Sequence, residues 1–215
     1  LVQFLLKIFA KVEFKGTEFV PKTGGVIITT NHQSRIDTPI LAINPARPDI
    51  SALVAESYRK SLIFRFLLGN TGVIWIDRTQ ADFKAMRAGI QAIQKGVAMG
   101  IAPEGTRSKS GSLLEGKSGA VLLAVKAEVP IIAVGIAGTE NFKQNLAHFK
   151  RTTVTVKFGK PFMLPPLDPK NRRGSLQNAT DEIMCQIAAL LPAKYHGVYA
   201  GRPRIQELIE QNKET

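Results

Sequence analysis

A chain of 215 residues, of which 44% are hydrophobic and 21% charged, fits one sizeable folded domain and leaves little room for a second. Its single cysteine, Cys185, excludes an internal disulfide framework and any metal site built from several cysteines. The 29 basic and 17 acidic residues give a net charge of +12, which attracts nucleic acid, anionic lipid or a phosphorylated substrate.

The first segment of the chain is apolar and has the pattern of an amphipathic helix. In residues 1–10 the only polar side chains are Gln3 and Lys7, which with Lys11 stand four positions apart. Such a helix has one narrow polar stripe and suits a bilayer surface. Residues 62–68, which follow two basic residues, have a similar character. Both segments are predicted to contact an anionic membrane, and the alternative is that both pack into the core.

Apolar runs of strand length recur along the rest of the chain, with helical patterns between them. Strands are predicted at residues 25–30, 51–55, 73–76, 97–102, 130–136 and 154–158. Helices are predicted at residues 83–95, 116–127 and 181–191. This alternation predicts an α/β sandwich around a largely parallel, mixed sheet. The predicted organisation is a membrane-associating N-terminal helix (1–15), a catalytic domain (16–200) and a polar C-terminal tail (201–215).

The first chemically informative site directly follows the predicted strand that ends at Thr30. An imidazole such as that of His32 can remove a proton from an attacking hydroxyl if its other nitrogen is held as a donor. A buried carboxylate, here Asp37, would hold it. On a regular helix, side chains five positions apart point about 140° apart and cannot meet. The pairing therefore requires His32 to lie in the turn and Asp37 in the first helical turn.

Two further sites follow the ends of later predicted strands. Asp77 and Arg78 come after residues 73–76, and Glu104, Gly105 and Arg107 come after residues 97–102. If the strands are parallel, these residues leave the same edge of the sheet as His32. Guanidinium groups suit phosphate recognition, and a glycine permits a sharp turn and a close approach of substrate.

Here the chain resembles the lysophosphatidic acid (1-acylglycerol-3-phosphate) acyltransferases and their glycerolipid acyltransferase relatives. The resemblance covers residues 25–136 and consists of four ordered motifs and a Lys-x-Gly. These are NHxxxxD at Asn31, His32 and Asp37; Gxx[aromatic]IDR at Gly72, Trp75, Ile76, Asp77 and Arg78; FPEGTR at Pro103, Glu104, Gly105, Thr106 and Arg107; VP[IV][IV]PV at Val129, Pro130, Ile131, Ile132 and Val134; and Lys117 with Gly119.

The resemblance implies transfer of a fatty acyl group from acyl-CoA or acyl carrier protein to a lysophospholipid hydroxyl, in phospholipid biosynthesis and without an acyl-enzyme. His32 would be the general base and Asp37 its orienting partner. The implied substrate-binding residues are Asn31, Arg78, Glu104, Gly105, Arg107 and Lys117. No metal or resident cofactor is implied. The predicted location is peripheral or monotopic, on the cytoplasmic face of the cell membrane, with no nucleic-acid partner.

Three positions depart from the family pattern. Ala102 replaces the usual Phe of the third motif, and Ala133 replaces the second Pro of the fourth. Glu56 follows a predicted strand where the family often has a Lys nearby. Losing a cation there weakens the case for a phosphomonoester acceptor, so another lysophospholipid or another hydroxylated lipid remains an alternative.

Competing functions come from other classes. Residues 111–118 satisfy the GxxxxGK[ST] phosphate-loop pattern of NTPases, although a polar stretch separates them from the preceding strand. The positive charge also suits a nucleic-acid-binding module, but there is no zinc spacing or aromatic signature for one. A hydrolase would use the same base to activate water. His148 and His196 have no acidic partner at a suggestive spacing and are predicted to be surface or packing residues.

Overall fold

The computed structural model describes residues 8–47, 49–56, 73–77 and 82–213, with only the backbone of Ala55. The described strands are β1 (Ala10–Lys15), β2 (Val26–Thr30), β3 (Ile50–Ala55), β4 (Ile74–Ile76), β5 (Ala98–Ile101), β6 (Ile131–Ala137) and β7 (Thr152–Phe158). The described helices are α1 (Asp37–Ala42), α2 (Phe83–Gln94), α3 (Gly119–Ala127), α4 (Phe142–Ala147), α5 (Arg172–Ala189) and α6 (Pro203–Gln211).

The seven strands form one sheet in the order β1-β7-β6-β2-β5-β3-β4. The five strands from β6 to β4 are parallel to their neighbours, while β7 is antiparallel to β6 and β1 is parallel to β7. The predicted α/β sandwich with a largely parallel, mixed sheet is confirmed. All six predicted strands are present within one or two residues of their expected ends.

The central strand β2 is buried along its whole length because helices cover both faces of the sheet. One face packs against apolar side chains of α2, α3, α5 and α6. The other face packs against α1 and against residues near β1. β7 lies toward the edge of the sheet and alternates between buried and more exposed residues, as its sequence predicted.

Local sequence explains where the helices near the site begin and end. The Asp82 side chain accepts the main-chain N–H of Ala85 at 2.8 Å and so caps α2, which ends just before Gly96 in a left-handed conformation. α5 begins at Arg172, nine residues earlier than predicted, because Asn171 caps it. Phe83 belongs to the predicted apolar stripe of α2, yet 81% of this residue is exposed.

The prediction for the N-terminal residues is wrong in part. Residues 10–15 form a strand rather than a helix, with Ala10 paired to Thr152 of β7. The physical reason is that Val12 and Phe14 alternate with charged residues and pack on the sheet's second core. Ile8 is helical, and residues 1–7 lie outside the described residues, as does the predicted segment 62–68.

The prediction for the C-terminal residues is also corrected. Pro203 occupies the first turn of α6, and the helix buries Ile205 and Leu208, three positions apart, against α5. Residues 203–211 are therefore part of the folded domain rather than a peripheral tail. Cys185 is buried in the same core. Among the helices that have a described placement, none has the length and apolar content needed to cross a bilayer.

Candidate active site

The turn between β2 and α1 brings His32 and Asp37 together. β2 ends at Thr30, and Asp37 is the first residue of α1, so His32 lies in the turn between them. The distance from Nδ1 of His32 to Oδ2 of Asp37 is 2.9 Å. The contact predicted from their spacing is therefore confirmed.

The Asp37 carboxylate accepts hydrogen bonds from several groups, and its side chain is only 1% exposed. Its Oδ2 atom also accepts the main-chain N–H groups of Gln33 at 2.8 Å and Ser34 at 2.7 Å. The carboxylate stands at the N-terminus of α1, where the helix dipole favours negative charge. These interactions stabilise a buried negative charge beside the imidazole.

The imidazole of His32 is oriented so that one nitrogen is free. When Nδ1–H donates its hydrogen bond to the Asp37 carboxylate, the neutral ring carries its lone pair on Nε2. Among the described residues, Nε2 has no hydrogen-bond partner, and the side chain is 19% exposed. This arrangement can accept a proton from a hydroxyl that approaches Nε2.

The Glu104 carboxylate fixes the backbone of His32. Oε1 of Glu104 accepts the N–H of His32 at 2.7 Å, and Oε2 accepts the N–H of Leu114 at 2.9 Å. The carbonyl of His32 in turn accepts the N–H of Ser108 at 2.7 Å. Burial raises the pKa of Glu104, and the two amide hydrogen bonds oppose that effect.

These contacts give Glu104 a structural role. Both carboxylate oxygens bond to main-chain amides, and the residue is buried. Glu104 therefore positions the turn that carries His32, and its role in substrate binding stays a prediction.

Asn31 also makes structural contacts, and its role in substrate binding stays a prediction. Its side-chain amide accepts the N–H of Ile136 and donates to the Ile136 carbonyl, both at 2.8 Å, and the residue is buried. The Gln33 side chain donates to the same carbonyl at 2.6 Å. The residues on both sides of His32 are thus tied to the end of β6. The sequence analysis did not identify Gln33, and its position beside His32 was the only signal.

The predicted cationic residues lie in and after the turn that follows β5. Gly105 has φ +68°, and a Cβ atom there would come within 3.1 Å of Cδ and 3.3 Å of Nζ of Lys117, so the lysine side chain covers the turn. Lys117 is exposed and Arg107 is partly exposed. Neither side chain forms an ion pair or hydrogen bond with another described residue. Arg78 lies outside the described residues, so its role stays a prediction.

An apolar cavity of about 200 Å³ lies between the sheet and helices α2 and α3. Its polar lining comes from Lys117 and Asp77, beside Gly105. The apolar lining residues are Leu53, Ile76, Met86, Ile101, Ala102, Pro103, Ala120 and Leu123. The cavity thus has an apolar interior with one basic and one acidic side chain in its lining, a combination that suits a lipid chain with a polar end.

The segment that matches the phosphate-loop pattern does not have the geometry of a phosphate loop. A phosphate loop requires free main-chain amides that converge on the ligand. Here four consecutive or nearly consecutive amides already donate to protein acceptors: Leu113 to the carbonyl of Tyr195, Leu114 to Glu104, Gly116 to the hydroxyl of Tyr199, and Lys117 to the carbonyl of Pro103. These contacts contradict the NTPase alternative.

The same contacts show that the C-terminal part of the chain braces the site. The carbonyl of Tyr195 accepts the N–H of Leu113 at 2.8 Å, and the hydroxyl of Tyr199 accepts the N–H of Gly116 at 3.0 Å. Residues 113–116 carry Leu114, which holds Glu104. The sequence analysis did not identify either tyrosine, because their partners are main-chain amides about 80 residues away.

The other two histidines have the packing and surface roles predicted for them. His196 is buried, and its Nε2 lies 3.1 Å from the carbonyl of Leu191. His148 is exposed and contacts the carbonyl of Gln144. In the part of the chain with described coordinates, no three His, Cys, Asp or Glu side chains are grouped so as to hold a metal ion. The expectation that no metal is needed stays a prediction.

Comparison with known proteins gives consistent matches. The profile of a family described as Acyltransferase matches residues 11–137. The 1-acyl-sn-glycerol-3-phosphate acyltransferase alpha of Mus musculus is 32% identical over 139 residues, which are 61% of this chain and 47% of the relative. The 1-acyl-sn-glycerol-3-phosphate acyltransferase of Salmonella typhimurium is 32% identical over 161 residues, 74% of this chain and 63% of the relative. The chain thus spans about half to two thirds of these curated relatives.

A solved structure has the same fold. The crystal structure of the 1-acyl-sn-glycerophosphate (LPA) acyltransferase PlsC from Thermotoga maritima matches with a TM-score of 0.64. The match covers 83% of this chain and 73% of that chain at 24% sequence identity. At that identity the likeness concerns the fold alone.

Proposed function

Because the chain belongs to the acyltransferase family, we propose that it transfers a fatty acyl group from a thioester to a lipid hydroxyl. The proposed acceptor is lysophosphatidic acid or a related lysophospholipid, and the proposed donor is acyl-CoA or acyl carrier protein. The observation that carries the proposal is the 2.9 Å contact between Nδ1 of His32 and Oδ2 of Asp37. That contact leaves Nε2 with a lone pair at the end of a parallel strand, where sites in such sheets lie.

The proposed reaction begins when the acceptor hydroxyl approaches His32. As the oxygen attacks the thioester carbonyl carbon, Nε2 of His32 removes its proton, and the buried Asp37 stabilises the resulting imidazolium. The tetrahedral intermediate then collapses, the carbon–sulfur bond breaks, and the thiolate takes the proton from His32. The products are the acylated lipid and the free thiol, and no group becomes attached to the protein.

The acceptor head group is proposed to bind a cationic rim of Arg107 and Lys117 beside Gly105. Arg107 and Lys117 support this role because neither forms an ion pair with a described residue, and both follow the strand end next to His32. A guanidinium binds two phosphate oxygens in one plane, and the lysine adds a mobile charge. The apolar cavity behind Lys117 is proposed to hold a fatty acyl chain. The proposed contribution of Arg78 is a third cation in the same rim.

The proposed location is the cytoplasmic face of the membrane, in peripheral or monotopic association. The net charge of +12 supports attraction to an anionic lipid surface. This location would also supply the lipid acceptor directly to the site.

The experiment that tests the function uses the purified chain, each of the two donors and a panel of lysolipids, with products identified by mass. We expect a diacyl product that depends on the lysolipid. His32→Ala should abolish it, whereas His148→Ala, which changes an exposed histidine, should retain it. Release of free fatty acid without acylated lipid would show that the protein is a hydrolase and not a transferase. Equal turnover by the wild type and His32→Ala would contradict the proposed mechanism.

A further inference from the structure

Large apolar side chains are exposed mainly on one edge of the sheet. Among the described residues, six large hydrophobic side chains are exposed: Ile8, Phe83, Leu146, Phe149, Met163 and Val198. Exposed apolar residues scattered singly need no explanation, but a set grouped on one side indicates a contact surface. Four of the six, Ile8, Phe83, Leu146 and Phe149, belong to the edge that carries His32.

The strand directions establish this grouping. β6 is parallel to β2, so both strands end at the edge where His32 lies. β7 is antiparallel to β6, and β1 is parallel to β7, so these two strands begin at that edge. Leu146 and Phe149 lie between β6 and β7, and Ile8 lies just before β1. Phe83 begins α2 at the same edge, because Asp82 accepts the N–H of Asp77 at the end of β4.

Phe149 is the most unusual of these residues. It is 93% exposed, and its backbone has φ +55°, in the left-handed region that bulky residues rarely adopt. If this phenylalanine packed against the protein, burial of its apolar surface would offset the backbone strain, but the side chain buries almost no surface. The observation therefore indicates that Phe149 finds its apolar contact outside the described fold.

The charge around Phe149 is positive. Residues 142–151 contain three basic side chains, Lys143, Lys150 and Arg151, and no acidic side chain. Arg151 donates to the carbonyl of Ala10 at 3.1 Å, which ties this turn to the start of β1. An aromatic side chain surrounded by lysines and arginines is the combination that binds at the head-group level of an anionic bilayer.

We propose that the turn between α4 and β7, residues 148–151, inserts Phe149 into the surface of an anionic lipid bilayer, with Lys143 and Lys150 on the lipid head groups. Leu146 and Ile8 extend the apolar contact on either side. This proposal rests on the proposed function and adds to it the surface by which the protein binds the bilayer. It sets the His32 edge against the bilayer, so a lysolipid can reach the site without leaving the lipid phase.

The test measures binding of the full chain to vesicles of phosphatidylglycerol and phosphatidylcholine by flotation. Phe149→Ser should lower the partition coefficient by at least about tenfold, the loss expected when one aromatic side chain no longer buries its surface. Lys150→Gln should lower it by about fivefold on anionic vesicles and leave it unchanged on neutral ones. The matched control is Met163→Ser, because Met163 is also exposed but lies at the opposite edge, next to the pairing of Phe162 with Ile131.

Two further measurements make the outcome decisive. Phe149→Ser should melt at or above the wild-type temperature, because it removes no packing. Transfer to a lysolipid dispersed in detergent should proceed at the wild-type rate in every variant, because no membrane is needed there. If the wild type itself showed no transfer in detergent, that result would contradict the proposed function and not the docking proposal. The docking proposal is overturned if Phe149→Ser floats like the wild type, or if Met163→Ser loses as much. It is also overturned if Phe149→Ser disrupts an oligomer and leaves vesicle binding intact.

Discussion

Glu104 and His32 are 72 positions apart in the sequence, yet a carboxylate oxygen of Glu104 accepts the main-chain N–H of His32 at 2.7 Å. The other oxygen holds Leu114, in the segment that leads to α3. Three parts of the chain therefore meet at one buried carboxylate. The position of the proposed general base therefore depends on Glu104.

We predict that Glu104→Gln lowers both stability and turnover. Its amide NH2 cannot accept a hydrogen bond, so either His32 or Leu114 loses the acceptor for a buried N–H, at a cost of about 1–3 kcal/mol. Because the change moves His32 and not the cationic rim, kcat should fall more than KM rises. Urea unfolding and steady-state kinetics test this, with the exposed Glu115→Gln as control. Unchanged kcat in Glu104→Gln would show that Glu104 does not position the base.

We predict that Asp37→Asn lowers kcat by about 10³ to 10⁴-fold, as in other carboxylate–imidazole pairs. An Asn carbonyl oxygen in the place of Oδ2 can still accept the amides of Gln33 and Ser34 and the N–H of the His32 ring. It carries no negative charge, however, so the imidazolium that forms during the reaction is less stable and His32 becomes a weaker base. The control is Asp168→Asn at an exposed loop position. A variant with a loss below tenfold would exclude the proposed role of Asp37.

We predict that Arg107→Ala and Lys117→Ala each raise KM for the acceptor by about tenfold to a hundredfold, the range for losing a charge-assisted hydrogen bond. The kinetics should use a donor thioester without a nucleotide, so that donor phosphates do not contribute. Lys126→Ala is the matched control, because Lys126 is exposed at the far end of α3. If an acceptor without phosphate showed the same losses, the cationic rim would not be the head-group site.

We predict that Tyr199→Phe destabilises the protein by about 1–3 kcal/mol, because the buried N–H of Gly116 loses its acceptor. The substitution keeps the packing of the ring, so any effect on kcat would pass through residues 113–116 to Glu104. Thermal unfolding and kcat, measured together, test whether Tyr199 stabilises residues 113–116 and through them the position of Glu104. If Tyr199→Phe were as stable as the wild type, the hydrogen bond between Tyr199 and Gly116 would not support the site.

We predict that acid loosens the contact between α5 and α6. Burial alone would raise the pKa of Glu182, but hydrogen bonds from Arg204 and Gln186 outweigh it and lower the pKa below its ordinary value of 4.5. A folded-state pKa below the unfolded one stabilises the protein above the unfolded pKa, and this contribution is lost as the pH falls through the folded pKa. Unfolding free energies should therefore decline below about pH 5, and less steeply in Glu182→Gln. Parallel pH profiles of the two proteins would contradict the prediction.

The sequence predicted the sheet well because six strands are long apolar runs bounded by turn residues. It did not predict β1, since Val12 and Phe14 are only two apolar positions next to a strongly helical pattern. It also did not predict the antiparallel direction of β7, which depends on where the chain returns after α4. The burial of α6 was missed because its three large apolar residues, Ile205, Leu208 and Ile209, stand among polar and charged ones.

The chemistry of the site was predictable where side chains contact side chains. His32 and Asp37 were paired correctly because an imidazole and a carboxylate have complementary chemistry at a spacing that a turn can close. The structural roles of Asn31 and Glu104 were not predictable, because their partners are main-chain groups of residues distant in sequence. Every residue offers the same amide and carbonyl, so such a partner has no signature in the sequence.

The pairing of β1 with β7 has a consequence for the order of folding. Arg151 and Ala10, which this pairing brings together, are 141 positions apart. During synthesis β1 leaves the ribosome long before β7, its neighbour among the described strands, exists, and contacts of such separation form slowly. In that interval the strand presents unpaired amides and carbonyls to any other chain. A nascent chain truncated before residue 152 should therefore need a chaperone more than the complete one.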